Sequence, residues 1–102
     1  MGKLFPLGAV LVRPGAAEAL DRAEVSVSAL LDRHGAGDWG SVRTRDRLGN
    51  EGAVQDGREI LSAYTLQTGD RIIVITTSDR KNTVALLAQE YQRQRSAAER
   101  IS

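Results

Sequence analysis

The chain has no cysteine. That excludes a disulfide, a zinc–thiolate centre and a thiol nucleophile, and it fits a reducing compartment. Histidine is nearly absent too. His34 stands alone, so a mechanism that needs two histidines is excluded. With no second His and no Asp/Glu spacing aimed at it, a His-centred metal site has little support, and no metal or other cofactor is expected. Aromatic residues are limited to Phe5, Trp39, Tyr64 and Tyr91. In so poor a set one Trp can dominate a core. An excess of either charge is also missing: 14 Lys and Arg against 13 Asp and Glu leave +1. With the signs interspersed in both halves, this speaks against a DNA-coating protein and against an acidic nucleic-acid mimic. No apolar run approaches the ~20 residues of a membrane span. The start, Met1-Gly2-Lys3-Leu4-Phe5-Pro6, lacks the apolar stretch of a signal peptide. The expectation is a soluble, cytoplasmic protein with no membrane contact. Neither G-x-x-x-x-G-K-[ST] nor G-x-G-x-x-G occurs, so no glycine-rich phosphate cradle is present.

What the chain does have is a β-rich stretch at 60–87, ILSAYTLQTGDRIIVITTSDRKNTVALL. Residues 71–77 are apolar or β-branched on both alternating faces, which predicts a strand covered on both sides and central in its sheet. A first strand is expected at 60–66, with Ser62 and Tyr64 on the same side as Ile60. Gly69 suits a hairpin bulge, and a third strand follows at 83–87 after the polar loop 78–82. Upstream, the apolar run 4–12, interrupted by Pro6 and Gly8, reads as either an edge strand or an extended arm. Pro14 suits a helix start, with a short helix over 16–23. Ser26 suits the N-cap of a second helix whose stripe is Val27, Leu30, Leu31 and His34. A third helical segment from Thr44 through Leu48 and Val54 is opposed by Gly49 and Gly52, each costing about 1 kcal/mol. From Ala88 the chain is helical. The expected fold is α+β in one domain, 1–102. A helical N-terminal part (1–56) precedes a three-stranded antiparallel meander (57–87) and a C-terminal helix (88–102).

Most of the chemically suggestive residues fall at the strand ends. His34 has the side chain of a general base acting near neutral pH; the plainer account is a half-buried His favoured by a helix C-terminus. Asp38 and Trp39, in the loop GAGDWG at 35–40, suit a recognition loop or a Trp plugging a small core. Arg80, with Asp79 to orient it and Lys81 beside it, suits phosphate binding, or an ordinary turn in which Asp bonds nearby N–H groups. Arg58, Ser62, Tyr64, Thr76 and Thr83 could line a sheet face with them, Ser62 and Thr83 equally as cross-strand pairs. Arg93, Arg95 and Arg100 suit RNA or a partner, or a solvated helix face interrupted by Glu90 and Glu99. Tyr91, Ala98 and Ile101 form a weak stripe through which a homodimer could pair.

Several segments together resemble a family of small uncharacterised proteins carried on bacterial plasmids and integrative elements. They are FPLG (5–8), PGAAEAL (14–20), HGAGDWG (34–40), LSAY (61–64) and ITTSDRKNTVALLAQEY (75–91). The family usually has an acidic residue where Thr77 stands and Pro where Ala88 stands. The resemblance implies an accessory protein of a mobile element. With no recognisable catalytic set and a balanced charge beside it, the expectation is a non-enzymatic protein that binds a host or element protein through the GAGDWG loop and the sheet end. A weaker likeness, to the fold of barnase and RelE-type ribonucleases, rests on Thr76-Thr77, the polar loop and Thr83. It implies a small endoribonuclease or RNA-binding toxin-type domain using His34, Arg58, Asp79 and Arg80. In barnase-like enzymes a catalytic His lies in this loop, where the present chain has Asp79 and Arg80. Fold alone does not transfer function.

Overall fold

The computed structural model describes residues 3–101, with side chains through Gln94. Its elements are β1 (Ala9–Val12), α1 (Pro14–Arg22), α2 (Val27–Gly35), α3 (Thr44–Asp56), β2 (Ile60–Thr65), β3 (Arg71–Thr76), β4 (Asn82–Leu87) and α4 (Ala88–Ile101). The α+β class holds. The three-stranded antiparallel sheet is corrected: the sheet has four strands in the order β1-β4-β3-β2. β2, β3 and β4 form the antiparallel meander, and β1 adds to β4 in parallel, Ala9 opposite Asn82 and Val12 opposite Ala85. A parallel neighbour needs a long crossover, and the three helices between β1 and β2 supply it. The 4–12 run proves to be arm and edge strand in turn. Phe5 and Leu7 are buried, Gly8 turns at φ 67, where a Cβ would collide with the Lys81 carbonyl, and the edge strand follows.

The helices follow local chemistry. α1 starts on Pro14 at its first turn and buries Ala16, Ala19 and Leu20. Ser26 caps α2, its Oγ accepting from the Ala29 N–H at 3.3 Å. α3 runs through both glycines and ends on Gly57 in the left-handed region. It buries only Asn50 and Ala53 and leaves Leu48 59% exposed, so its docking rests on few side chains. At the start of α4 the Glu90 carboxylate accepts from the Leu87 N–H at 3.0 Å, satisfying one of the donors a helix start leaves free.

The period of two divides the sheet. One face presents Tyr64, Ile72, Val74 and Ala85 to α1 and α2, in a core with Leu20 and Leu30. The other presents Ala63, Ile73 and Leu86, with Ala88 and Tyr91 packed on them. Ile72 and Val74 are fully buried, as a doubly covered β3 requires, each contributing ~1.5–3 kcal/mol of burial. A third cluster, Phe5, Leu7, Trp39, Ala53 and Ile60, joins the N-terminal arm to α3.

Candidate functional site

α2 delivers His34 from its last turn to the first face of the sheet, where the ring is fully buried. Both nitrogens are paired, Nδ1 with Ser62 Oγ at 2.6 Å and Nε2 with Thr76 Oγ1 at 2.9 Å. Thr76 Oγ1 lies 2.7 Å from Thr83 Oγ1, and Thr83 donates to the Leu7 carbonyl at 2.7 Å. A hydroxyl has one proton and a carbonyl only accepts, so this chain has a single direction. Thr83 uses its proton on Leu7, hence Thr76 donates to Thr83 and must accept from His34 Nε2–H. Nδ1 of the neutral ring then accepts from Ser62. The ring is further enclosed by Phe5 at 5.3 Å and Trp39 at 6.0 Å between centroids. Burial, with the Arg80 charge second, pulls its pKa down to about 4. His34 is therefore a neutral, sealed member of a hydrogen-bond chain, more deeply buried than the half-buried helix-end residue expected. It presents no nitrogen to solvent.

Arg80 takes a left-handed conformation, φ 61, uncommon for a non-glycine residue. The reward is visible in its guanidinium. Nη1 donates to the carbonyls of Arg58 at 2.7 Å and Thr77 at 3.0 Å, and Nη2 to that of Ala53 at 2.9 Å. The last belongs to the C-terminal turn of α3, the negative end of its dipole. The same group lies 5.4 Å above the Phe5 ring. The cation suggested for phosphate thus bolts α3 to the β3–β4 turn. Asp79 sits in that turn, its Oδ1 accepting from Thr77 Oγ1 at 2.6 Å and from the Lys81 N–H at 3.0 Å. The Thr77 bond is the main reason its pKa is lowered. Lys81 is exposed, and Arg58 turns outward to Asp56 at 2.8 Å. Arg58 does not join Ser62, Tyr64, Thr76 and Thr83 on the first sheet face. The four residues suggested for ribonuclease chemistry do not share an open cleft: His34 is sealed, Arg80 is engaged with carbonyls, and Arg58 and Asp79 point to water.

The GAGDWG loop is built into the fold. Trp39 is buried, stacked on Phe5 at 6.2 Å. Its carbonyl accepts from the Ala63 N–H at 3.0 Å, and the Ser41 N–H donates to the Ala63 carbonyl at 2.7 Å. Asp38 pairs with Arg33 at 2.7 Å, and that bond lowers its pKa. Tyr64 is buried and donates to the Asp38 carbonyl at 2.7 Å; burial raises its pKa to about 12. The loop closes the outer edge of β2 and keeps Trp39 and Tyr64 off the surface. Sequence reasoning missed the residue that finishes that closure. Asn50 accepts from the Leu61 N–H at 3.0 Å and donates to its carbonyl at 2.6 Å. Its one signal was an amide between two glycines of a helix with little apolar stripe.

The opposite edge is treated differently. Ala9 and Arg13 donate inward, to the Lys81 and Ala85 carbonyls, so alternation along a parallel ladder turns the Val10 amide outward. Val10 is 43% and Leu11 53% exposed. On the second sheet face Leu11 stands opposite Val84, Val84 opposite Ile75 and Ile75 opposite Leu61. This apolar row crosses the whole sheet, and Val84, Ile75 and Leu61 in it are half-buried. At the Leu61 end it meets a cavity of about 220 Å³ between α3 and α4. The floor is Leu61, Ala63 and Ile73, and Arg43, Arg71 and Asp46 stand on the rim. An adjoining hollow adds Arg45, Arg58 and Glu59. Sequence reasoning missed the row because β1 was not counted as a partner of β4.

Arg93 is exposed and Tyr91 half-buried against the second face. The side chains of Arg95, Ala98, Arg100 and Ile101 lie outside the described residues, and with them the proposed dimer stripe. Among the described residues no helix is long and apolar enough to cross a membrane, and no cluster of His, Asp and Glu could hold a metal ion. Comparison with protein-family models, curated proteins and solved structures found no match.

Proposed function

We propose that this is a non-enzymatic accessory protein, of the mobile-element kind its sequence resembles, that works by binding another protein across the second face of its sheet. One observation carries the reading: the contrast between the two sheet edges. β2 is closed by Asn50 and the Trp39–Ser41 backbone, whereas β1 is open and has Val10 and Leu11 exposed. An uncovered apolar edge invites pairing, and folds commonly block such edges. An extended partner segment that adds a strand to β1 gains backbone hydrogen bonds and meets the row Leu11–Val84–Ile75–Leu61. His34, Trp39 and Tyr64 are buried and Arg80 is engaged with backbone carbonyls, which supports placing recognition elsewhere than the GAGDWG loop.

The test places a photo-crosslinking residue at Val84 in cells, identifies the adduct, and reconstitutes the complex from purified proteins. Leu11→Asp is expected to weaken the reconstituted complex by about tenfold or more while the melting temperature stays within a few degrees. A partner whose binding is unchanged by Leu11→Asp, or which crosslinks from Asp79 or Lys81 and not from Val84, contradicts the reading.

A further inference from the structure

We infer that the groove between α3 and α4 takes an acidic segment of the partner, anchored by one large apolar side chain. This rests on the protein-binding reading and adds the chemistry of what is bound. The cavity of about 220 Å³ has a floor of Leu61, Ala63 and Ile73, continuous through Leu61 with the apolar row that ends at the open edge. It has room for one side chain rather than for a packed helix, whose diameter is about 10–12 Å.

Charge selects the flanks. Arg43, Arg45, Arg58 and Arg71 line the two hollows against Asp46 and Glu59. Arg58 is already paired with Asp56, and Arg71 spends one Nη2 bond on the Ser41 carbonyl at 2.9 Å. Arg43 and Arg45 have no ion-pair partner among the described residues. They are exposed and free to meet carboxylates in bidentate pairs. Both stand by the start of α3, where the helix dipole disfavours cations, so folding alone gives them no evident return.

The groove suits a peptide better than RNA. Single-stranded RNA is held by stacking bases on flat aromatic or guanidinium planes; the aromatic lining both hollows, Tyr91, is half-buried against the second sheet face, and the floor between the arginines is aliphatic. Asp46 and Glu59 would repel a backbone with a charge at every nucleotide, yet leave room for carboxylates spaced to either side of them.

The experiment uses the full chain and a fluorescein-labelled nine-residue peptide with a central Leu flanked by Asp and Glu, read by fluorescence anisotropy. Three probes serve as controls: the same peptide with Lys for each acid, the same with Ser for Leu, and an oligo-uridine. The acidic Leu peptide is expected to bind saturably, about tenfold or more tightly than each control. Arg43→Glu and Arg45→Glu are each expected to weaken it severalfold without lowering the melting temperature. Equal binding of a control peptide, tighter binding of the oligo-uridine, indifference to both substitutions, or no saturable binding of the acidic peptide each overturn the inference. If the crosslinked partner still needs Leu11 while the peptide test fails, the protein-binding reading stands and only the acidic groove is lost.

Discussion

His34 and Arg80 are the residues whose side chains invite a chemical reading, and both are explained by what they hold together. For His34 the pH dependence of stability has a definite sign. Its folded pKa of about 4 lies below the ordinary 6.5, so the unfolded chain binds the proton more readily. The stability it contributes is complete above pH 6.5 and is lost as pH falls toward 4, by roughly 3 kcal/mol over the window. Asp38, Asp56 and Asp79, whose pKa values are lowered by partners, lose their contribution as pH drops through their folded values, below that window. Urea midpoints should fall steeply between pH 6.5 and 4 in the wild type. In His34→Gln, which cannot titrate, they should fall much less. Arg80→Lys should destabilise by about 2 kcal/mol, because a single ammonium cannot reproduce the planar fork that reaches separate carbonyls; a thermal melt measures it. The sequence placed His34 on the buried stripe of α2. It could not place Ser62, Thr76 and Thr83 in contact with that stripe and with one another, because their meeting depends on the packing of α2 over the sheet. Nor could it find the carbonyls around Arg80, since backbone acceptors carry no residue signature.

At the scale of elements, the strands and capped helices were legible wherever local chemistry decides them. β3 reads from its β-branched run, α1 from Pro14 and α2 from Ser26. β1 was half legible. Its four residues look like an edge strand, but its parallel partner is set by the intervening helices, which local pattern does not describe. The two edges differ in a way that can be measured. Asn50→Ala leaves the Leu61 N–H and carbonyl without their side-chain partner. It should destabilise by roughly 1–3 kcal/mol and, by opening β2, raise concentration-dependent self-association. Light scattering alongside a melt separates the two effects. No such rise is expected from Leu11→Asp, which adds a charge to the open edge.

For the molecule as a whole, the two sides of the sheet have different tasks. The first face holds the helices and the hydrogen-bond chain from Ser62 to Leu7. The second, only partly covered by α4, carries an apolar row from Leu11 to Leu61 that ends among arginines. The suggestive loops close edges and tie helices down. Backbone hydrogen exchange of the free protein and of its reconstituted complex tests this division most directly. The account predicts slowed exchange on binding at β1 and around Leu61, Ile75 and Val84, with the segments 35–40 and 78–81 unchanged. Protection confined to those two loops, with β1 exchanging as freely as before, would contradict it.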